Sequence, residues 1–365
     1  MWILLLFVLT LSINLLVILT RNNKLDRGGY WLLMLFLTGF LCFRYGQGTD
    51  YLAYEGIFDF VAGGGSFDDV HGEYGWLWLC RLFDALGLNF IWMEAILSFL
   101  EMLCLHCFIR KWSPMRCLSL LIFLPSFYFV YYCSALRQAV TIALFLGFGM
   151  DYLMNRQWLK YCLVVSAASL FHVAAVPLFL LPILVNGFKL KVKVSYVVLF
   201  LALCAGAWSV LLTMGGEVNY TEQTTYSSLA ALLRLLLFVM ACFLYSQFHL
   251  HSIPGVNADR MTLLMKIYIV GVGGFFMLFP SAIISQRLTV CFKVVEIALF
   301  PMLVSSVMQL ARDRGTRLVF TNGMVLAGLL AVVLSVEMIK NIDAAMWQGK
   351  YAGSIFDYPY ISIFE

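Results

Sequence analysis

Apolar residues come in long runs along the whole chain, broken by short connectors rich in basic, acidic or glycine residues. Most runs approach the roughly 20 residues that a helix needs to cross the hydrocarbon of a bilayer. The pattern predicts an all-α, polytopic integral membrane protein with about ten transmembrane helices, over residues 2–20, 30–43, 89–109, 117–131, 137–154, 194–212, 229–248, 261–280, 287–308 and 322–339. Lys and Arg cluster at 21–27, 110–116, 156–160, 189–193, 249–260 and 312–317, which the positive-inside rule assigns to the cytoplasm. The connectors at 44–75, 132–136, 213–228 and 281–286, and the tail from 340, then face outward.

One run does not fit a simple span. Residues 161–186 are flanked by basic clusters at both ends and contain His172, Pro177 and Pro182. A half-helix hairpin entering from the cytoplasm and returning, with Phe171-His172 at its turn, satisfies both constraints. A single tilted span is the alternative, and it would reverse the side of every later connector. The 44–75 connector carries Asp50, Glu55, Asp59, Asp68, Asp69 and Glu73, no lysine, and the run Gly63-Gly64-Gly65, so it is expected to be an acidic, mobile extracytoplasmic loop. The stretch that follows, near 74–87, mixes Trp76, Trp78, Leu79 and Phe83 with Arg81 and Asp84, as an interfacial helix does. The first run has no basic residue before it and Arg21, Lys24 and Arg27 after it, the reverse of a cleaved signal, so it is expected to be a retained span with its N-terminus outside.

Composition supports this picture. Of 365 residues 62% are hydrophobic and 12% charged, and the mean hydropathy is +0.90, an apolar surplus that a soluble core does not need. No long polar segment divides the chain, which is expected to form a single membrane-embedded domain over 1–365. The net charge of +4 comes mostly from the connectors, so nucleic acid is not expected as a partner; membrane lipid is. Cys104, His106 and Cys107 make a C-x-x-C with an internal histidine, yet further ligands are missing nearby, so helix packing is expected there and no metal. Neither a Walker loop nor a Rossmann fingerprint is found, so no nucleotide cofactor is expected. Energy must come from an activated substrate, an ion gradient, or nothing.

Polar groups recur where lipid-facing sequence should exclude them: Arg44, Arg137 with Gln138, Arg234, Arg287 and His172. The four arginines fall on the outer side of the expected spans. A guanidinium is always charged and presents a planar fork of donors, so several around one cavity would hold a diphosphate. The alternative is snorkelling to the interface, or pairing with an acid such as Asp50. His172 suits a general base or a donor, or a bridge between helices. Glu94 and Glu101 share a helix face, where they cap a polar cavity or pair with arginine. Lys293 and Glu296 have ion-pair spacing and read as structural.

An ordered set of short motifs resembles the EpsG branch of the Wzy-type polysaccharide polymerases. The set is Arg44-Tyr45-Gly46-Gln47-Gly48-Thr49-Asp50-Tyr51 with Tyr54, Glu73-Tyr74-Gly75, Leu136-Arg137-Gln138-Ala139, Ala168-Ser169-Leu170-Phe171-His172-Val173-Ala174, Arg287 opening a late span, and Tyr358-Pro359-Tyr360. Cys133-Ser134-Ala135 departs from the pattern, in which an asparagine is often found. The resemblance implies a multi-pass bacterial inner-membrane enzyme whose active site faces the exterior. Its reaction would transfer a growing glycan from undecaprenyl diphosphate to a sugar hydroxyl of a lipid-linked repeat, with neither nucleotide sugar nor metal. Arg137 and Arg287 are then the principal diphosphate contacts, supported by Arg44 and Arg234. His172 or Glu73 is the base, Asp50 and Tyr51 shape the sugar site, and a chain-length regulator is an open question. Rival readings are a flippase or exporter of the same lipids, a glycan ligase and a membrane acyltransferase.

Overall fold

Helix dominates wherever the chain is described. The computed structural model describes residues 2–20, 22–187, 228–247, 257–278, 282–314, 317–343 and 362–364. The expected span at 194–212, nearly all of the 213–228 connector and the Tyr358-Pro359-Tyr360 motif lie outside them. Among the described residues there is no strand, only an isolated antiparallel bridge between Arg44 and Ser362.

By mutual contact the chain forms two compact units. The first comprises Met1–Lys111, Arg116–Val176 and Glu337–Glu365, the second Trp112–Met115 and Pro177–Val336. The first holds α1 (Trp2–Thr20), α2 (Asn23–Cys42), α3 (Tyr51–Ala62), α4 (Tyr74–Ala85), most of α5 (Phe90–Trp112), and α6 (Arg116–Phe123). Then come a π-helical turn (Leu124–Tyr132), α7 (Leu136–Leu144), a second π-helical turn (Phe145–Gly149), α8 (Met150–Met154) and α9 (Trp158–Phe171). A 3-10 segment (Val173–Leu180) leads into α10 (Leu181–Gly187). The second unit continues with α11 (Ser228–Gln247), α12 (Ala258–Met277), α13 (Ala282–Lys293), α14 (Glu296–Arg314) and most of α15 (Arg317–Asp343).

Two described helices, Phe90–Trp112 and Ala258–Met277, are each long and apolar enough to cross a membrane. The pair Ile284–Lys293 and Glu296–Arg312, bent by 50°, makes a third if taken as one span. The count of ten uninterrupted spans is therefore not reached among the described residues. Interruptions account for part of the shortfall. The expected span at 117–131 changes to π-helix at Leu124-Pro125, where proline removes a backbone donor and crowds the preceding turn. The expected span at 137–154 is split by the second π-helical turn. The expected span at 287–308 breaks between α13 and α14, so Arg287 sits inside α13 rather than opening a span. Lys293 at the end of α13 and Glu296 at the start of α14 suit the dipoles of those two termini.

The 44–75 segment also holds more helix than expected. Tyr51, Tyr54, Phe58 and Val61 repeat at helical spacing and are buried, so α3 lays an apolar stripe against Trp76, Leu77, Cys80 and Phe83 of α4. α4 has the length expected for an interfacial helix: twelve residues, with Tyr74, Trp78, Leu82 and Leu86 exposed on its opposite side. Polar ties fix the rest of this unit. The Asp26 carboxylate accepts the Arg116 and Cys117 N–H groups at 3.2 and 3.0 Å and so caps α6, while the Asn14 amide donates to the Cys117 carbonyl at 3.0 Å. His106 Nδ1 meets the Tyr30 hydroxyl at 2.8 Å, a packing role for the C-x-x-C histidine.

Candidate active site

Arg44 is the most enclosed charge in the first unit, with 0% of its side chain exposed. All five of its N–H groups are used. Nε donates to the Gln47 carbonyl, Nη1 to the Leu41 carbonyl and, at 2.6 Å, to the Glu94 carboxylate, and Nη2 to the carbonyls of Tyr132 and Cys133. Leu41 lies in the last turn of α2, and Tyr132 and its C-cap Cys133 close the first π-helical turn, so one guanidinium satisfies carbonyls that helix ends leave open. The neighbouring glycine is fitted to the same corner. Gly48 has φ +116, and a Cβ there would lie 2.1 Å from the Cys133 carbonyl oxygen. The expectation that Arg44 supports a diphosphate meets a physical objection: no donor is left for one. Glu94 thus takes the structural alternative, pairing with arginine. Ser98 donates to its carboxylate at 2.8 Å, and Glu101, two turns beyond Glu94 on the same buried face, keeps an Oε2 with no hydrogen-bond partner among the described residues.

Tyr51 is fully buried, with Arg44 over its ring at 5.6 Å and Phe90 edge-on at 5.2 Å. It packs the corner rather than lining an open sugar site. Asp50 is exposed at the N-cap of α3 and makes no capping hydrogen bond with its side chain.

Arg137 is placed differently. It opens the helix α7 just after the Cys133–Ala135 turn, and its Nη1 pairs directly with the Glu73 carboxylate at the N-cap of α4. The side chains of Arg137 and Glu73 are 15% and 26% exposed, so this pair is wetted where the Arg44–Glu94 pair is dry. Tyr54 of α3 supports it: the guanidinium lies 5.5 Å from the ring centroid and Nε points to the hydroxyl at 3.4 Å. Burial raises the Tyr54 phenol above its ordinary value while Arg137 pulls it down, so it is a neutral hydroxyl at physiological pH. Behind Tyr54, Trp76 packs on its ring at 5.0 Å. The motif glycine Gly75 lets α4 approach α9, since a Cβ there would lie 2.5 Å from the Leu170 carbonyl oxygen.

His172 ends α9 in extended conformation, φ −158 and ψ 134, so the chain breaks where the hairpin turn was expected. Its Nδ1 accepts the Ala174 N–H at 3.0 Å, which puts the ring proton on Nε2 in the neutral form. Nε2 lies 3.0 Å from the Gln138 amide, so the Gln138 oxygen is the group that must face it. Both nitrogens are engaged inside the protein. The sequence-level role of His172 as proton acceptor is not what this arrangement favours; it caps the broken helix and, through Gln138, fixes the start of α7. Thr141 adds a second tie, its hydroxyl lying 3.2 Å from the Ala168 carbonyl of α9.

In the second unit Arg234 of α11 lies 5.8 Å over the Phe275 ring of α12 and 3.8 Å from Glu296 of α14. Lys293, read from the sequence as structural, borders a small hollow together with Arg234, Phe275 and Glu296. Arg287 is exposed on α13.

These features define a helical membrane protein with a wetted arginine–carboxylate pair set on short helices. A profile of the EpsG family matches residues 30–343, and the chain belongs to that family, whose members are membrane proteins of the polysaccharide-polymerase type. Comparison with curated proteins found no match, and comparison with solved structures found none.

Proposed function

We propose that the protein polymerises a lipid-linked glycan on the outer side of the bacterial inner membrane. The growing chain passes from an undecaprenyl diphosphate carrier to a sugar hydroxyl of an incoming lipid-linked repeat. The observation that carries this reading is the Arg137–Glu73 pair, partly open to solvent and braced by Tyr54. Arg137 and Glu73 neutralise each other in their pair. A diphosphate competes for the guanidinium fork, and its arrival frees the carboxylate.

During transfer the acceptor oxygen bonds to the anomeric carbon as the bond from that carbon to the diphosphate oxygen breaks. The electron pair leaves with the diphosphate, where Arg137 stabilises the growing charge. Glu73 takes the acceptor hydroxyl's proton. Since Glu73 is released only once Arg137 holds a donor, the base is armed by the substrate. Arg287, exposed on α13, remains a proposed substrate-binding residue, and exposed Asp50 a proposed partner for sugar hydroxyls.

The test is reconstitution of the purified protein with a synthetic polyprenyl-diphosphate repeat unit, reading glycan length on a gel. A ladder of longer glycans is expected. Repeat units that cross the bilayer without growing would mean transport and overturn the reading.

A further inference from the structure

In the first unit α2 and α5 run antiparallel. Trp31 meets His106 ring to ring at 4.8 Å near one end of the pair, and Arg44, just beyond α2, meets Glu94 near the other. Each step forward along α2 is therefore matched by a step back along α5. Arg27, one turn before Trp31, stands level with Arg110, one turn after His106. Both arginines are exposed, and among the described residues neither lies within ion-pair distance of a carboxylate. Arg116, at the start of α6, lies within electrostatic reach of the His106 ring, as Arg110 does. The acid of this corner, Asp26, is buried and turned to the Arg116 and Cys117 N–H groups. Three permanent cations thus gather around one enclosed carboxylate.

The same two helix faces change character away from this end. Trp31 is exposed beside His106, and exposed Leu35 continues its stripe on α2, while exposed Leu103 and Phe99 continue that of His106 on α5. Charge, then an amphipathic ring, then apolar side chains is the order of layers within one leaflet of a bilayer. The positive-inside rule assigns the charged end to the cytoplasmic side, the leaflet that carries anionic lipid. A soluble anion would have no use for the apolar stripe.

We infer that this face binds one anionic phospholipid, with Arg27 and Arg110 gripping the head-group phosphate and Leu35, Leu103 and Phe99 carrying the acyl chains. The planar fork of a guanidinium suits the phosphate oxygens. Orienting the chain asks only that basic residues lie on one side, so a discrete lipid site goes beyond it. The site does not rest on the proposed polymerase activity.

The experiment adds phosphatidylglycerol or phosphatidylcholine to the full-length protein in detergent and measures bound lipid by native mass spectrometry. Phosphatidylglycerol is expected to bind saturably, and more tightly than phosphatidylcholine. Arg27→Gln and Arg110→Gln should each weaken it about fivefold, the effect of one cation at a lipid surface. Arg156→Gln, which removes an exposed arginine of another basic connector, should leave it unchanged. Thermal melts without added lipid establish that each variant is folded. Equal binding of the two lipids by the wild-type protein overturns the site without recourse to any variant. So does a loss of affinity no greater in Arg27→Gln and Arg110→Gln than in Arg156→Gln. Displacement of the lipid by an equal concentration of inorganic phosphate would indicate a soluble-anion site and overturn the lipid assignment.

Discussion

Arg44 and Arg137 carry the same group and meet opposite fates. Arg44 is enclosed, with every donor spent on carbonyls and Glu94; Arg137 is part-exposed and pairs with Glu73. The chemistry of a single residue type could not separate them, because each lies beside an apolar run. The distinguishing fact is which carbonyls end nearby. Removing Arg44 leaves Glu94 buried and unpaired, so Arg44→Met should cost about 3–5 kcal/mol, read as a lowered melting temperature in detergent. Adding Glu94→Met should restore part of that loss; a double variant no better than the single would show that pairing is not what Arg44 supplies. At the other arginine, Glu73→Gln should leave the fold intact while slowing elongation by about 10²–10⁴-fold, measured in the reconstituted ladder assay. Tyr54→Phe, which keeps the ring and loses the hydroxyl, should slow it far less.

Short helices set these positions. α3 was legible in retrospect as Tyr51, Tyr54, Phe58 and Val61, but acidic residues and three consecutive glycines masked that stripe as a loop. α4 and the break at His172 were readable from the sequence itself, the first from its aromatic pattern and the second from its flanking charges and prolines. The π-helical turns on either side of α7 were not: the first starts at Leu124-Pro125 and ends at the Tyr132 and Cys133 carbonyls that meet Arg44, 88 positions from Tyr132, and hydropathy marks neither turn. Glycines report the same closeness. Gly48→Ala and Gly75→Ala should each lower stability and abolish elongation, because a methyl group would strike the Cys133 and Leu170 carbonyls. A variant with either change that melts and polymerises like wild type would contradict the close packing of α4, α9 and the Arg44 corner.

For the molecule as a whole, apolar run length marked most helices but overstated how many are continuous. Residues 117–131 and 137–154 satisfy the hydropathy of a span and still contain breaks, because periodicity does not register a change from α to π winding. The candidate site was legible as a set of residue types, and family membership over residues 30–343 places those types in a polysaccharide-polymerase setting. Their division of labour was not legible. Arg137 with Glu73, Arg44 with Glu94, and Arg234 over Phe275 near Glu296 are three distinct settings of arginines that look alike along the chain. The most direct measurement compares glycan elongation by Arg137→Ala with wild type, at equal amounts of folded protein and saturating lipid-diphosphate repeat. The account predicts that the ladder disappears; chains extended at the wild-type rate would contradict it.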